Sequence, residues 1–117
     1  MACEKGSVTT GIGKATVYVC TSTDSNNVNV TIEGSADKID VYGYIRLHLE
    51  VLSTSGNAWV RASSKDAGLW DESKGKKNAS LPSSHTSGTK MRVLAEFFNK
   101  SNYTERFGSA ESPMFTR

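Results

Sequence analysis

Residues Lys38–Leu52 read KIDVYGYIRLHLEVL, with Ile39, Val41, Ile45, Leu47, Leu49 and Val51 at every second position and Gly43 in the same series. Asp40, Tyr42, Tyr44, Arg46, His48 and Glu50 fill the alternate positions, and Leu52 is the only aliphatic residue among them. A period of two puts the two sets on opposite faces of an extended chain. The stretch is therefore a β-strand with one face for a core and one for solvent or a partner. Its fifteen residues would span roughly 50 Å at about 3.3 Å each. A domain of this size has a radius of gyration of only about 13–14 Å. The strand is expected to bend, and Gly43, which packs nothing on the inward face, is the expected place.

The rest of the chain has the same texture. Ser7–Thr10 and Lys14–Thr21 read as strands around the glycines of Gly11-Ile12-Gly13, with Val17 and Val19 on one face and Tyr18 and Cys20 on the other. Val28–Glu33 places Val28, Val30 and Ile32 on one side. Ser55-Gly56-Asn57-Ala58 reads as a two-residue Gly-Asn hairpin of type I′ or II′. That turn would oppose Ser53 to Val60 and Val51 to Ala62, adding Val60 and Ala62 to the apolar face and Trp59 and Arg61 to the polar one. Lys90–Phe98 is apolar on both faces, as expected of a central or covered strand. Tyr103–Phe107 reads as the last clear strand, with a short edge piece around Pro113.

Asp66–Thr89 shows no period. It carries Lys74, Lys76 and Lys77, with Leu69-Trp70 as its strongly apolar pair. It is expected to be a long irregular loop that docks through Leu69 and Trp70, and Trp59 has an alternative place beneath it. Long loops without structure are usually functional or disordered.

Seven or so short strands between turn signals argue for an all-β chain forming a single antiparallel β-sandwich over residues 1–117. An immunoglobulin- or fibronectin-like Greek key is the first expectation and a small β-barrel the second. The Cys…Trp…Cys spacing of antibody domains is absent. The hydrophobic fraction is 37%, with Ser, Thr, Asn and Gly filling much of the remainder, a composition that suits turns and strands better than helical bundles. A net charge of +2 gives no footprint for nucleic acid. No run approaches the roughly 18 apolar residues of a membrane-spanning helix.

The two cysteines, Cys3 and Cys20, fit no zinc or redox spacing. They are expected to form a disulfide, which implies an oxidising, secreted setting. On that reading Met1 is an added initiator ahead of a mature secreted chain.

Chemistry-bearing patterns are sparse. Lys14 after Gly13 does not complete a phosphate loop, because Val8 and Ala15 stand where glycine and a hydroxyl residue are required. His48 and Glu50, two apart on one strand, are about 7 Å apart and could serve a hydrolase, but the second histidine, His85, falls in the unpatterned segment. No GxSxG or HExxH motif is present, and neither a cofactor nor a metal is expected. Asn29-Val30-Thr31, Asn78-Ala79-Ser80, Asn99-Lys100-Ser101 and Asn102-Tyr103-Thr104 match N-x-[ST], as chance provides in so Ser/Thr-rich a chain.

The candidate binding face is Tyr42, Tyr44, Arg46, His48, Glu50, Trp59 and Arg61, and the candidate loop residues are Trp70, Lys74, Lys76 and Lys77. Trp, Tyr and Arg dominate binding hot spots, although a solvated sheet face with cross-strand pairs would look alike. The expectation is a non-enzymatic extracellular β-sandwich that binds a protein or carbohydrate or assembles with itself. A secreted toxin or inhibitor acting through residues 66–89, a phage or viral structural subunit, and a hydrolase are the alternatives.

Overall fold

The computed structural model describes residues 2–10, 13–24, 27–34, 44–53, 55–69, 76–83, 88–98 and 105–116. Nine strands lie among them: β1 (Ala2–Thr10), β2 (Gly13–Thr23), β3 (Asn27–Gly34), β4 (Tyr44–Leu52), β5 (Trp59–Leu69), β6 (Lys76–Pro82), β7 (Lys90–Phe98), β8 (Arg106–Glu111) and β9 (Phe115–Thr116). Their pairings are antiparallel and sort into two sheets, β1-β2-β3-β6 and β5-β4-β7-β8, with β9 beside β7. The sheets pack face to face as a β-sandwich. No strand pairing among the described residues joins them.

Alternation builds the core. Val17, Val19, Val28, Val30, Ile32 and Leu81 of one sheet meet Ile45, Leu47, Leu49, Met91, Val93, Ala95 and Phe97 of the other, none more than 1% exposed. Burying each such large side chain stabilises the fold by about 1.5–3 kcal/mol. β4 and β7 are the central strands of their sheet, which explains why Leu94 and Phe98 make the second face of β7 apolar as well. Cys3 and Cys20, directly opposed on β1 and β2, are joined by a disulfide. Their Cα atoms are 4.0 Å apart, nearer the close, non-hydrogen-bonded kind of antiparallel pair than the wide kind.

Four expectations from the sequence need correction or fall elsewhere. The segment 66–89 is not one irregular loop: β5 runs on to Leu69, and Lys76–Pro82 is β6, paired along β3 from Asn27 to Glu33. Its polar residues hid the strand because β6 is an edge strand with Leu81 as its one deeply buried side chain. The last long strand lies at Arg106–Glu111 rather than starting at Tyr103, which is outside the described residues. Residues 38–43, and with them the bend at Gly43, are also outside the described residues.

The fourth concerns the β4–β5 turn. Ser53 N–H donates to Ala58 O and Gly56 N–H to Ser53 O, both at 2.8 Å, so the loop is longer than Gly-Asn. Gly56 takes φ +77° while no described non-glycine residue, Asn57 included, has positive φ, which excludes type I′. Val51 therefore opposes Val60 instead of Ala62. Val60 is 55% exposed and Ala62 is exposed as well, because at this end of edge strand β5 the facing sheet does not cover them.

Candidate functional site

The outer face of β5-β4-β7-β8 carries Tyr44, Arg46, His48 and Glu50 from β4, as the alternation requires, and Trp59 and Arg61 opposite Leu52 and Glu50. Tyr42 is outside the described residues. The register then slips twice, skipping Ala62 between the Glu50–Arg61 and Leu49–Ser63 pairs and Ala67 between the Arg46–Asp66 and Ile45–Gly68 pairs. A bulge re-aims every side chain beyond it. The first one turns Ser64 and Asp66 outward, opposite His48 and Arg46. Neither residue was foreseen on this face, since a bulge at an alanine leaves no mark in the hydropathy pattern.

Charges on this face are matched strand to strand. Arg46 Nε donates to Asp66 Oδ1 at 2.8 Å, Arg92 Nε to Glu50 Oε1 at 2.8 Å, Arg92 Nη1 to Glu111 Oε2 at 3.1 Å, and Arg106 Nε to Glu96 Oε2 at 2.8 Å. The Arg46 guanidinium, with Tyr44 adding a hydrogen bond, holds the Asp66 carboxyl below its ordinary value, and Asp66 raises Arg46 in return. Burial alone would push Glu96 up, but hydrogen bonds from His48 and Arg106 outweigh it and hold the carboxyl low.

His48 sits at the centre, 3% exposed. Its Nε2 is hydrogen-bonded to Glu96 Oε1, and its Nδ1 lies 2.6 Å from Ser64 Oγ. With Glu96 ionised, Nε2–H donates to the carboxylate, and in the neutral ring Nδ1 accepts from the serine. The carboxylate that orients His48 is thus Glu96, on the neighbouring strand, whereas Glu50 is engaged by Arg92.

Trp59 is partly buried, with the Arg92 guanidinium 4.5 Å over its ring. It does not lie beneath Leu69: Trp59 pairs with Leu52 at one end of β5 and Leu69 with Tyr44 at the other. Arg61 is exposed, and no ion pair engages it among the described residues. Trp70 and Lys74 are outside the described residues, while Lys76 and Lys77 belong to β6, opposite Glu33 and Ile32.

The other sheet has a different outer face. Thr31 Oγ1 donates to Asn78 Oδ1 at 2.9 Å, and Ser80 Oγ donates to Asn29 Oδ1 at 2.7 Å. Two of the N-x-[ST] sequences therefore lie antiparallel, each hydroxyl bonded to the other's amide. Asn29 Nδ2 also donates to Asp24 Oδ2 at 3.1 Å.

Among the described residues no group of three or more His, Cys, Asp or Glu side chains could hold a metal ion, and no helix is long and apolar enough to cross a membrane. Fold and site together define a disulfide-stapled β-sandwich with a charge-paired, aromatic sheet face. No family model matches the chain, and no curated protein and no solved structure shows significant similarity to it.

Proposed function

We propose that this chain is a non-enzymatic, extracellular β-sandwich module that binds a protein partner, or a second copy of itself, through the outer face of β5-β4-β7-β8. The observation that carries the reading is the Trp59–Arg92 stack. Arg92 is held at once by Glu50, Glu111 and the indole, so the residue types that dominate hot spots are fixed before a partner arrives. Exposed Arg61 stands beside them. The Cys3–Cys20 disulfide supports the extracellular setting and weighs against a cytoplasmically assembled viral subunit. The strand order, with crossings at β3–β4, β5–β6 and β6–β7, supports an immunoglobulin- or fibronectin-like Greek key.

Association across a face is favoured over association at an edge. β5 is bulged, and its Lys65 sits opposite inward-facing Leu47 and reaches across the layers to Ser80 O at 3.0 Å. Bulges and inward-pointing charges are devices that block edge pairing. β6 ends in Pro82, and Pro113 separates β8 from β9. The inhibitor reading is weakened, because part of the loop it needs is built into a sheet as β6.

A partner screen with the whole chain, alongside sedimentation to detect self-association, tests the reading. Trp59→Ala and Arg61→Ala should each abolish the complex while the thermal transition persists. A complex unaffected by both substitutions would overturn it.

One observation favours a second reading. Ser64, His48 and Glu96 are connected as nucleophile, base and orienting carboxylate are in serine hydrolases. In that reading Ser64 Oγ would attack an ester carbonyl as His48 Nδ1 takes its proton, and the alcohol would leave with that proton. Against it, Glu96 is also committed to Arg106. Turnover of p-nitrophenyl acetate lost in both Ser64→Ala and His48→Gln would establish it; equal rates in all three proteins would remove it.

A further inference from the structure

We infer that the outer face of the β2-β3-β6 sheet is a binding groove for a neutral oligosaccharide, independent of the face proposed above. A groove of about 380 Å³ crosses these strands, lined by Ser22, Asn29, Thr31, Asn78 and Ser80 together with the intervening Val30 and Ala79. The first five carry hydroxyl or amide side chains, and none of the seven is charged. The lining itself holds no counter-charge for an ionic ligand; the charges stand beside it, Asp24 bonded to Asn29 and Lys5 and Glu33 either side of Tyr18. A sugar hydroxyl, which both donates and accepts, is matched by groups that do the same.

The lining is set in advance. The crossed Thr31–Asn78 and Ser80–Asn29 bonds fix four of the five side chains, so little rotamer freedom remains to be lost on binding. Those bonds also decide what is left over. Thr31 and Ser80 spend their hydrogens inside the groove and keep lone pairs for a ligand. Among the described residues Asn78 uses its oxygen only, leaving the two Nδ2 hydrogens to offer, and Ser22 has no partner. The groove thus offers both donors and acceptors.

Tyr18 supplies the apolar half of the recognition. It precedes Ser22 by four residues on β2 and shares its outward face, which puts it roughly 13 Å along the strand. It is 42% exposed, one of three large hydrophobic side chains among the described residues that stand out in this way. The negative face of an aromatic ring suits the C–H face of a pyranose. A short saccharide would stack one ring on Tyr18 and run obliquely across β3, placing later hydroxyls over Thr31 and Asn78.

Affinity electrophoresis of the full chain tests this, using native gels that contain hydroxyethyl cellulose, glucomannan, xylan or laminarin, with dextran sulfate as the charged control. At least one neutral polysaccharide should retard the protein. Tyr18→Ala and Asn78→Ala should each weaken that retardation about tenfold or more, the scale of a lost central contact. Trp59→Ala, on the opposite face, should leave it unchanged, and circular dichroism should report the same fold in all variants. Retardation by dextran sulfate alone, migration unaffected by every neutral polysaccharide, or retention that survives both groove substitutions would each overturn the proposal. So would loss in Trp59→Ala, which would move saccharide binding to the other sheet.

Discussion

Gly6 of β1 faces Ala110 of β8 so closely that a Cβ placed on the glycine would lie 2.8 Å from the alanine Cβ. The contact pinches the sandwich shut on the side where edge strands β1 and β8 lie against each other. The alanine Cβ is fixed by its backbone, so it cannot rotate away. Gly6→Val should cost about 1–3 kcal/mol, the usual penalty for overpacking. Ala110→Gly in the same chain should recover part of it. Chemical denaturation of the three variants checks this, and a Gly6→Val protein as stable as the parent would mean the strands can separate there freely.

The disulfide lies on the same side, between β1 and β2. By the chain-entropy account a link with a sequence separation of 17 stabilises the folded state by about 3 kcal/mol. The intact mass should rise by two protons on reduction, and Cys20→Ser should lower stability by a comparable amount. Native alkylation of both thiols in the untreated protein would contradict the link.

Much of this fold was legible because alternation is decisive where a strand has one buried face. β4 and β7 place Leu47, Leu49, Val93 and Phe97 inward without ambiguity, and β7 has the bounds its sequence implies. β6 was illegible for a physical reason: an edge strand needs few apolar side chains, and Lys76-Lys77-Asn78 looks like solvated loop. The site was half legible. Arg46, His48 and Glu50 share a face by parity, but their partners Ser64, Asp66, Glu96 and Arg92 come from strands whose register depends on bulges and crossings. The sequence holds no signal that Glu96, rather than Glu50, is the carboxylate of His48.

Parity also separates the effects of neighbouring substitutions. Leu47 is fully buried, and an unpaired carboxylate there costs several kcal/mol, comparable with the whole stability of a small domain. Leu47→Asp should leave the chain unfolded. Arg46→Gln removes a partly exposed pair with Asp66 and the guanidinium 5.2 Å over the Phe98 ring, and should cost about 1–2 kcal/mol. Similar melting curves for the two would mean that both faces of β4 are equally buried.

Acid should weaken the fold through the carboxyls of the charge network. Asp66 and Glu96 are held below their ordinary values in the folded chain, so the unfolded chain binds more protons in the acid range and stability falls as pH falls. Their contribution is complete above the unfolded values of about 3.9 and 4.3 and is lost as pH drops through the lower folded ones. Glu96→Gln should be less stable than the parent at neutral pH, where His48 and Arg106 lose their anion. The two proteins should converge as the pH is lowered. Parallel acid limbs in urea titrations would show that Glu96 carries no such linkage.

Arg92 is the residue on which this face turns. It neutralises Glu50, which is 8% exposed, reaches Glu111, and covers Trp59 at 4.5 Å. Removing it does two separable things. The cation–π contact is worth about 0.5–2 kcal/mol, and leaving Glu50 as an unpaired buried carboxylate costs about 3 kcal/mol or more. Arg92→Ala should therefore destabilise more than Trp59→Ala does. Adding Glu50→Gln to Arg92→Ala should restore much of the loss, because a neutral amide has no charge to strand. Arg92→Lys should keep the charge but not the planar stack, and so fall between the parent and Arg92→Ala. Strict additivity of Arg92→Ala and Glu50→Gln in a double-mutant cycle would mean the two do not interact. Glu50 would then not be what holds the guanidinium over Trp59, and the pre-set residue that makes this face ready for a partner would be gone.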